Sequence, residues 1–211
     1  AGGQLDVWLW PYYQRDREAG RIDDEDAVFL LACLLLNDTR YYQLGGPDPD
    51  GRDQTNRLSF LILEAAHRLG TTCNLTIRVH DGLDPELLRK GVENLLKDRQ
   101  GCPRFSGDKA LVEGFMRNGY SAELARQRIA VGCNWMALPG LEYTMNDTVK
   151  INVAKVFAVA FEEMMAADVE PGTGELRRRF EEHLRRAVLC AARGIDHQLD
   201  HQHLNEPELL L

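Results

Sequence analysis

The stretch LGGPDPDGRDQTNRLSFLILEA, residues 44–65, decides how this chain reads. Its first part is a turn-rich loop, because Gly45, Gly46 and Gly51 tolerate backbone angles closed to other residues. From Arg57 to Leu69 the pattern turns helical, with Leu58, Leu61, Ile62 and Ala65 on one face. Beyond it, Asn74 to Val79 alternates and contains β-branched Ile77 and Val79, which predicts a strand.

Working outward, Pro85 sits at the first turn of a helix continuing to about Lys97, and two further helices are expected near Lys109–Asn118 and Ala122–Ala130. Toward the N-terminus, Asp23 and Asp24 offer cap oxygens to a helix reaching about Leu36. Pro11 and Tyr12-Tyr13 are expected to interrupt the segment before it. Ala27 to Leu36 is ten consecutive apolar residues, so that helix should be surrounded by protein. Gly132-Cys133 breaks the helical run and Pro139-Gly140 marks a turn. Lys150–Met165 reads as an apolar helix, and Thr173–Ala192 as the longest and most amphipathic one. Strands followed repeatedly by helices define an α/β pattern, and without a repeat or low-complexity linker residues 1–211 read as a single segment.

Composition narrows the functions. With 211 residues, 44% apolar and 27% charged, the chain has the make-up of a globular protein. A net charge of -8, with basic residues scattered apart from Arg177-Arg178-Arg179 and Arg185-Arg186, argues against a nucleic-acid partner. No apolar run is long enough for a bilayer and no signal pattern opens the chain, so no membrane partner and a cytoplasmic location are expected. Five separated cysteines without a C-x-x-C pair read as reduced thiols, and the Asn-x-Thr triplets at Asn37, Asn74 and Asn146 as chance matches. Ala1-Gly2-Gly3 at one end and Leu209-Leu210-Leu211 at the other read as cuts from something longer.

Several strings occur in an order known from one family. They are Asp6 with Leu9-Trp10-Pro11-Tyr12-Tyr13, Asp16 and Gly20, and then the loop and helix at 44–65. Ile77-Arg78-Val79-His80 with Pro85 and Leu87-Leu88 follows, then Gly101, Pro103, Asp108 and Gly119, and finally Ala125-Arg126 leading to Gly132-Cys133. Together they resemble the glycyl radical enzymes, the pyruvate formate-lyase and diol dehydratase-like family, over nearly the whole chain. The resemblance implies a helix-rich segment of a ten-stranded α/β barrel made of two half-barrels, with the cysteine on a loop inside it. It makes Cys133 the catalytic residue, as a thiyl radical that abstracts hydrogen from a small organic substrate. Such a radical needs contact with a C–H bond and shelter from water, and no basic neighbour; Ala130 to Met136 contains none. Composition alone favours a buried structural cysteine, and only the surrounding strings reverse that reading.

In the eliminating members the loop reads G-C-V-E, the glutamate acting as general base. Here it reads Gly132-Cys133-Asn134-Trp135, and indole cannot accept a proton. Standard Glu-assisted dehydration is therefore not expected; C–C cleavage, decarboxylation, addition of a substrate radical to an alkene and elimination with a relocated base stay open, with C–C or C–X lyase chemistry the favoured reading. Asn134, Trp135 and Asp147 are candidate substrate contacts, Asp147 by alignment with an aspartate of glycerol-type dehydratases; Trp135 reads equally as a core tryptophan. Glu142 is the nearest carboxylate that could replace the base, although a turn-side acid is usually solvated. His197, His201 and His203 lack zinc-site spacing, so no metal is assigned. The family's C-terminal glycyl radical domain is absent; Gly119-Tyr120 reads as part of a helical stretch. By resemblance, no cofactor is bound and a radical S-adenosylmethionine activating enzyme installs the glycyl radical elsewhere in the enzyme. A homodimer is also implied. The competing reading is a catalytically inactive barrel paralogue serving as a binding or structural subunit.

Overall fold

The computed structural model describes residues 3–38, 40–71, 73–132, 135–142 and 149–205. It forms two compact units, Ala1–Thr144 and Met145–Leu211. The first runs β1 (Gly3–Gln4), α1 (Leu5–Glu18), α2 (Asp24–Asn37), β2 (Tyr42–Leu44), α3 (Arg57–Leu69), β3 (Leu75–Val79) and α4 (Pro85–Asp98). It continues with β4 (Arg104–Gly107), α5 (Asp108–Arg117), α6 (Ala122–Ala125), β5 (Ile129–Val131) and β6 (Trp135–Ala137). Strands β1 to β4 form one parallel sheet in chain order, and β5 and β6 pair antiparallel. Parallel neighbours need a long crossover, which the intervening helices supply.

Local chemistry starts these helices where the sequence says. Asp23 and Asp26 exchange side-chain-to-backbone bonds across the first turn of α2, as Asn56 and Ser59 do for α3. Asp84 caps α4 with Pro85 at its first position. The buried faces of α3 and α4, with Leu58, Leu61, Ile62, Ala65 and Leu87, join Tyr42, Leu44, Leu75 and Ile77 in one apolar core. Gly91 lets α4 lie close: a Cβ there would stand 2.4 Å from Ile77 Cδ1.

In the first unit four expectations need correction. Pro11 lies inside α1 and does not interrupt it. A proline leaves one carbonyl of the preceding turn unbonded, and the packing of Leu5, Leu9, Trp10 and Tyr13 against the core outweighs that loss. The helix expected at Ala122–Ala130 stops at Ala125, and Ile129–Val131 pairs with β6, because tertiary hydrogen bonds and β-branched residues override helix propensity. Gly119-Tyr120 lies between α5 and α6, where Gly119 takes a φ of +93°. In α2 only Ala27, Val28, Leu31 and Leu35 are buried; Phe29, Leu30 and Leu36 are exposed.

The second unit packs α7 (Val153–Ala166), capped by Asn152, with α8 (Thr173–Asn205), and Phe157 rings meet Phe161 and Phe180. α8 is the longest described helix, but α3 and α4 separate their apolar and polar faces more sharply. Val188 and Leu189 of α8 are half exposed. No helix among the described residues is long and apolar enough to cross a membrane.

Candidate functional site

Side chains alternate across a strand, so the parallel sheet has two faces. Tyr42, Leu44, Leu75 and Ile77 point to the helices. The intervening residues are polar. The register aligns Gln4, Gln43, Thr76 and Arg104 in one row and Arg78 with Ser106 in the next. A polar face normally meets water, yet Gln4, Gln43, Thr76 and Arg78 are all buried.

What covers them is the segment Arg126–Gly132. Arg78 Nη2 donates to the Arg126 carbonyl at 2.7 Å. Gln43 donates from Nε2 to the Arg128 carbonyl at 3.3 Å and accepts at Oε1 from Ala130 N–H at 2.8 Å. Arg104 donates to the Gly132 carbonyl at 2.8 Å and to Thr76 Oγ1 at 2.6 Å. Residues 126, 128, 130 and 132 are thus each gripped through the backbone by a side chain of β2, β3 or β4. Such a grip fixes position without demanding a particular side chain on the held segment. Val131 stands opposite Trp135 in the β5–β6 pair, so the held strand leads directly into the Cys133 loop.

Three charges lie between sheet and hairpin. Asp108 accepts two bonds from Arg78, at 3.1 and 2.8 Å, and one from Arg128 Nη2. Arg128 also donates to Ser106 Oγ at 3.3 Å. Burial and the neighbouring Arg78 cation lower the Arg128 pKa to about 10, against the opposing pull of Asp108. A second buried carboxylate, Asp6, ties α1 to the loop and to α3, accepting from Gly45 N–H at 2.7 Å and Ser59 Oγ at 2.6 Å. Burial pushes its pKa up to about 6 although these bonds lower it.

The loop between β2 and α3, residues 45–56, closes the edge of the site. Asp53 bonds His80 Nε2 at 2.9 Å and the Asp84 N–H at 3.1 Å, and Arg126 Nη1 reaches the Pro49 carbonyl at 2.8 Å. Gly46, at a φ of +94°, has no room for a Cβ beside the Arg78 side chain. A cleft of about 290 Å³ opens at the hairpin base, lined by Gln4, Trp8, Gln54, Arg126, Ile129 and Pro139 among others.

Of the residues singled out in the sequence, Cys133, Asn134 and Asp147 lie outside the described residues. Trp135 is described through its backbone alone, as the first residue of β6. Glu142 follows the Pro139-Gly140 turn; one oxygen accepts from Tyr120 Oη and the other from the Leu138 N–H at 3.0 Å. His197 and His201 lie on α8, and among the described residues no three His, Cys, Asp or Glu side chains group as metal ligands. Sequence reasoning gave no role to Gln43, Arg78, Arg104, Asp108 or Arg128. The available signal was the strict alternation of polar with apolar residues in 75–79, which by itself reads as a wet face.

A parallel sheet with crossover helices on one face and a held antiparallel pair on the other is an α/β arrangement. A family profile described as pyruvate formate lyase-like matches residues 1–186. The chain belongs to the pyruvate formate lyase-like family of glycyl radical enzymes. It is 30% identical over 176 residues to a (2S)-3-sulfopropanediol dehydratase of Klebsiella oxytoca, a match covering 73% of this chain and 21% of that protein. It is 27% identical over 187 residues to an isethionate sulfite-lyase of Oleidesulfovibrio alaskensis, covering 78% and 22%. The crystal structure of a glycyl radical enzyme from Archaeoglobus fulgidus superposes with a TM-score of 0.68 at 26% identity, over 90% of this chain and 29% of that one. The chain spans about a fifth of the length of these curated relatives.

Proposed function

We propose that this chain is the part of a glycyl radical lyase that carries the hydrogen-abstracting cysteine, Cys133. The observation supporting this reading most directly is the backbone grip on residues 126–132 by Gln43, Arg78 and Arg104, which would hold the loop entering Cys133 to a fixed position. Hydrogen-atom transfer depends on contact distance, so a rigid support is what the chemistry requires. In the complete enzyme, made by a radical S-adenosylmethionine activase, the glycyl radical takes hydrogen from the Cys133 thiol. The S–H bond breaks and a glycine C–H bond forms. The thiyl radical then takes hydrogen from the substrate C–H beside a hydroxyl, the C–X bond on the adjacent carbon breaks, and the group X leaves with the hydroxyl proton as HX, which turns the hydroxyl-bearing carbon into a carbonyl and places the radical on its neighbour. Cys133 finally returns its hydrogen to the product radical.

With Trp135 in the base position, the reading favours a leaving group that departs as an anion and itself carries away the substrate's hydroxyl proton, as sulfite leaving as bisulfite does, so that no base is needed at residue 135. Glu142, with both oxygens already accepting bonds, is the remaining candidate acid or base near the loop, while Asn134 and Asp147 are proposed substrate contacts. The names of the two relatives, a dehydratase and a sulfite-lyase acting on sulfonates, support C–X cleavage of a small hydroxyalkanesulfonate. The active molecule is proposed to be a dimer in the cytoplasm.

The test is Cys133→Ala in the complete enzyme after anaerobic activation, with isethionate and propane-1,2-diol as probes. The glycyl radical signal should persist while turnover falls by at least about a thousandfold, the scale of losing an essential group. Persisting turnover with an intact signal rules Cys133 out as the abstractor. Diol dehydration without sulfite release overturns the leaving-group assignment.

A further inference from the structure

We infer that Arg128 is a positioning residue for the reaction: anchored to Asp108 and Ser106, it sets how the hairpin presents Cys133. The inference rests on the assignment of Cys133 as the abstracting residue. Arg128 precedes Cys133 by five residues and is wholly buried. Its Nη2 bonds Asp108 and Ser106, at the start of α5 and on β4, while its Nη1 lies 2.7 Å from Met136 Sδ, on the returning strand β6. One side chain therefore bolts both hairpin strands to the sheet.

Its energetics point the same way. Arg78 already gives Asp108 a two-bond partner, so that pair is balanced without Arg128. Adding a second buried guanidinium leaves one positive charge in excess within the trio, and Arg128 Nε has no hydrogen-bond partner among the described residues. Burial also works against the charge, as its lowered pKa reflects. A buried cation beyond what the ion pair needs is a poor stabiliser of the fold. Its bonds run instead from the residue that enters β5 to β4, to the start of α5 and to Met136 on β6.

The balance also makes a clean test possible, because Arg128→Met removes the excess charge, keeps a long side chain and leaves Arg78 and Asp108 paired. In the complete enzyme before activation, the rate of iodoacetamide alkylation at Cys133, followed by mass spectrometry, should change at least about fivefold. The buried thiols Cys73 and Cys102 serve as internal controls and should keep their rates, which a general loosening would not allow. After activation, kcat on isethionate should fall about tenfold or more with KM within about threefold, the split expected of a group acting on the reacting geometry and not on binding. Arg128→Lys, which keeps the charge and part of the reach, should recover part of both readouts. If Arg128→Met does not fold, Arg128→Lys alone carries the test, with an intermediate shift at Cys133 expected. Unchanged Cys133 alkylation and unchanged kcat in the variants that fold overturn the inference, and so do equal changes at all three thiols. Alkylation is read without turnover, so failure of the Cys133 assignment in Cys133→Ala stays distinguishable from failure of the Arg128 role.

Discussion

The two faces of the parallel sheet are built from the same four short strands and do opposite work. On the helix side, Leu44, Leu75 and Ile77 are fully covered by α3 and α4, and their contribution is area removed from water, which is insensitive to direction. On the hairpin side, Gln43, Thr76 and Arg78 are just as buried, but each acts through bonds that fix angles and distances. An apolar face tolerates substitutions of similar volume; a polar buried face leaves unpaired groups when any member is lost. On this comparison the outer face stabilises through area removed from water, while the inner face fixes the position of residues 126–132 and is costly to disturb because any lost partner leaves a buried polar group or charge unpaired.

The largest effect should come from Asp108→Ala. It strands Arg78 and Arg128 beside each other with no carboxylate, and breaking a buried pair this way costs about 3–5 kcal/mol. Denaturant unfolding of the complete protein checks it. A loss below about 1 kcal/mol would mean that water reaches both guanidiniums, and the inner face would then be no different from a wet one.

The outer face should respond to volume. Ile77→Ala is expected to cost roughly 2–4 kcal/mol while leaving Cys133 alkylation unchanged. Gly91→Ala should cost about 1–3 kcal/mol because its new methyl group meets Ile77 Cδ1, and Ile77→Val, which removes that atom, should return part of the loss. Additive costs in the double variant would show that α4 shifts freely over β3. A changed alkylation rate in any of these variants would break the division between the two faces.

The sequence made the outer face legible and hid the inner one. Helices α3 and α4 were readable to within a residue because their caps and apolar spacing are local properties of 56–69 and 84–98. β3 was readable for the same reason, whereas β1, β2 and β4 are two to four residues long and carry too little pattern to register. Pro11 misled because its local penalty is opposed by contacts from α3 and β2 that are distant in sequence. The chain order of motifs pointed to Gly132-Cys133, but the side chains that hold residues 126–132 are 28 to 87 residues away, as in Arg104 with Gly132 and Gln43 with Ala130. No local rule distinguishes a glutamine facing a buried hairpin from one facing water.

The smallest effect should be the pH response of Asp6, which ties α1 to the loop at Gly45 and to α3 at Ser59. Its carboxyl has a pKa near 6 when folded against 3.8 for the free group, because burial disfavours the charge more than Ser59 and the Gly45 and Val7 amides favour it. The folded state therefore holds this proton more tightly than the unfolded one. The stabilising contribution is full below about pH 4 and is lost as the pH rises through 6. Two units correspond to at most about 3 kcal/mol, and any water reaching the carboxylate would reduce it. Asp6→Asn keeps a neutral group of the same shape, so its unfolding free energy should follow a flatter curve between pH 4 and 6 than that of the parent protein. Parallel curves would show that the Asp6 charge is already tolerated, placing this corner of the molecule with the hydrogen-bonded inner face and not with the apolar core.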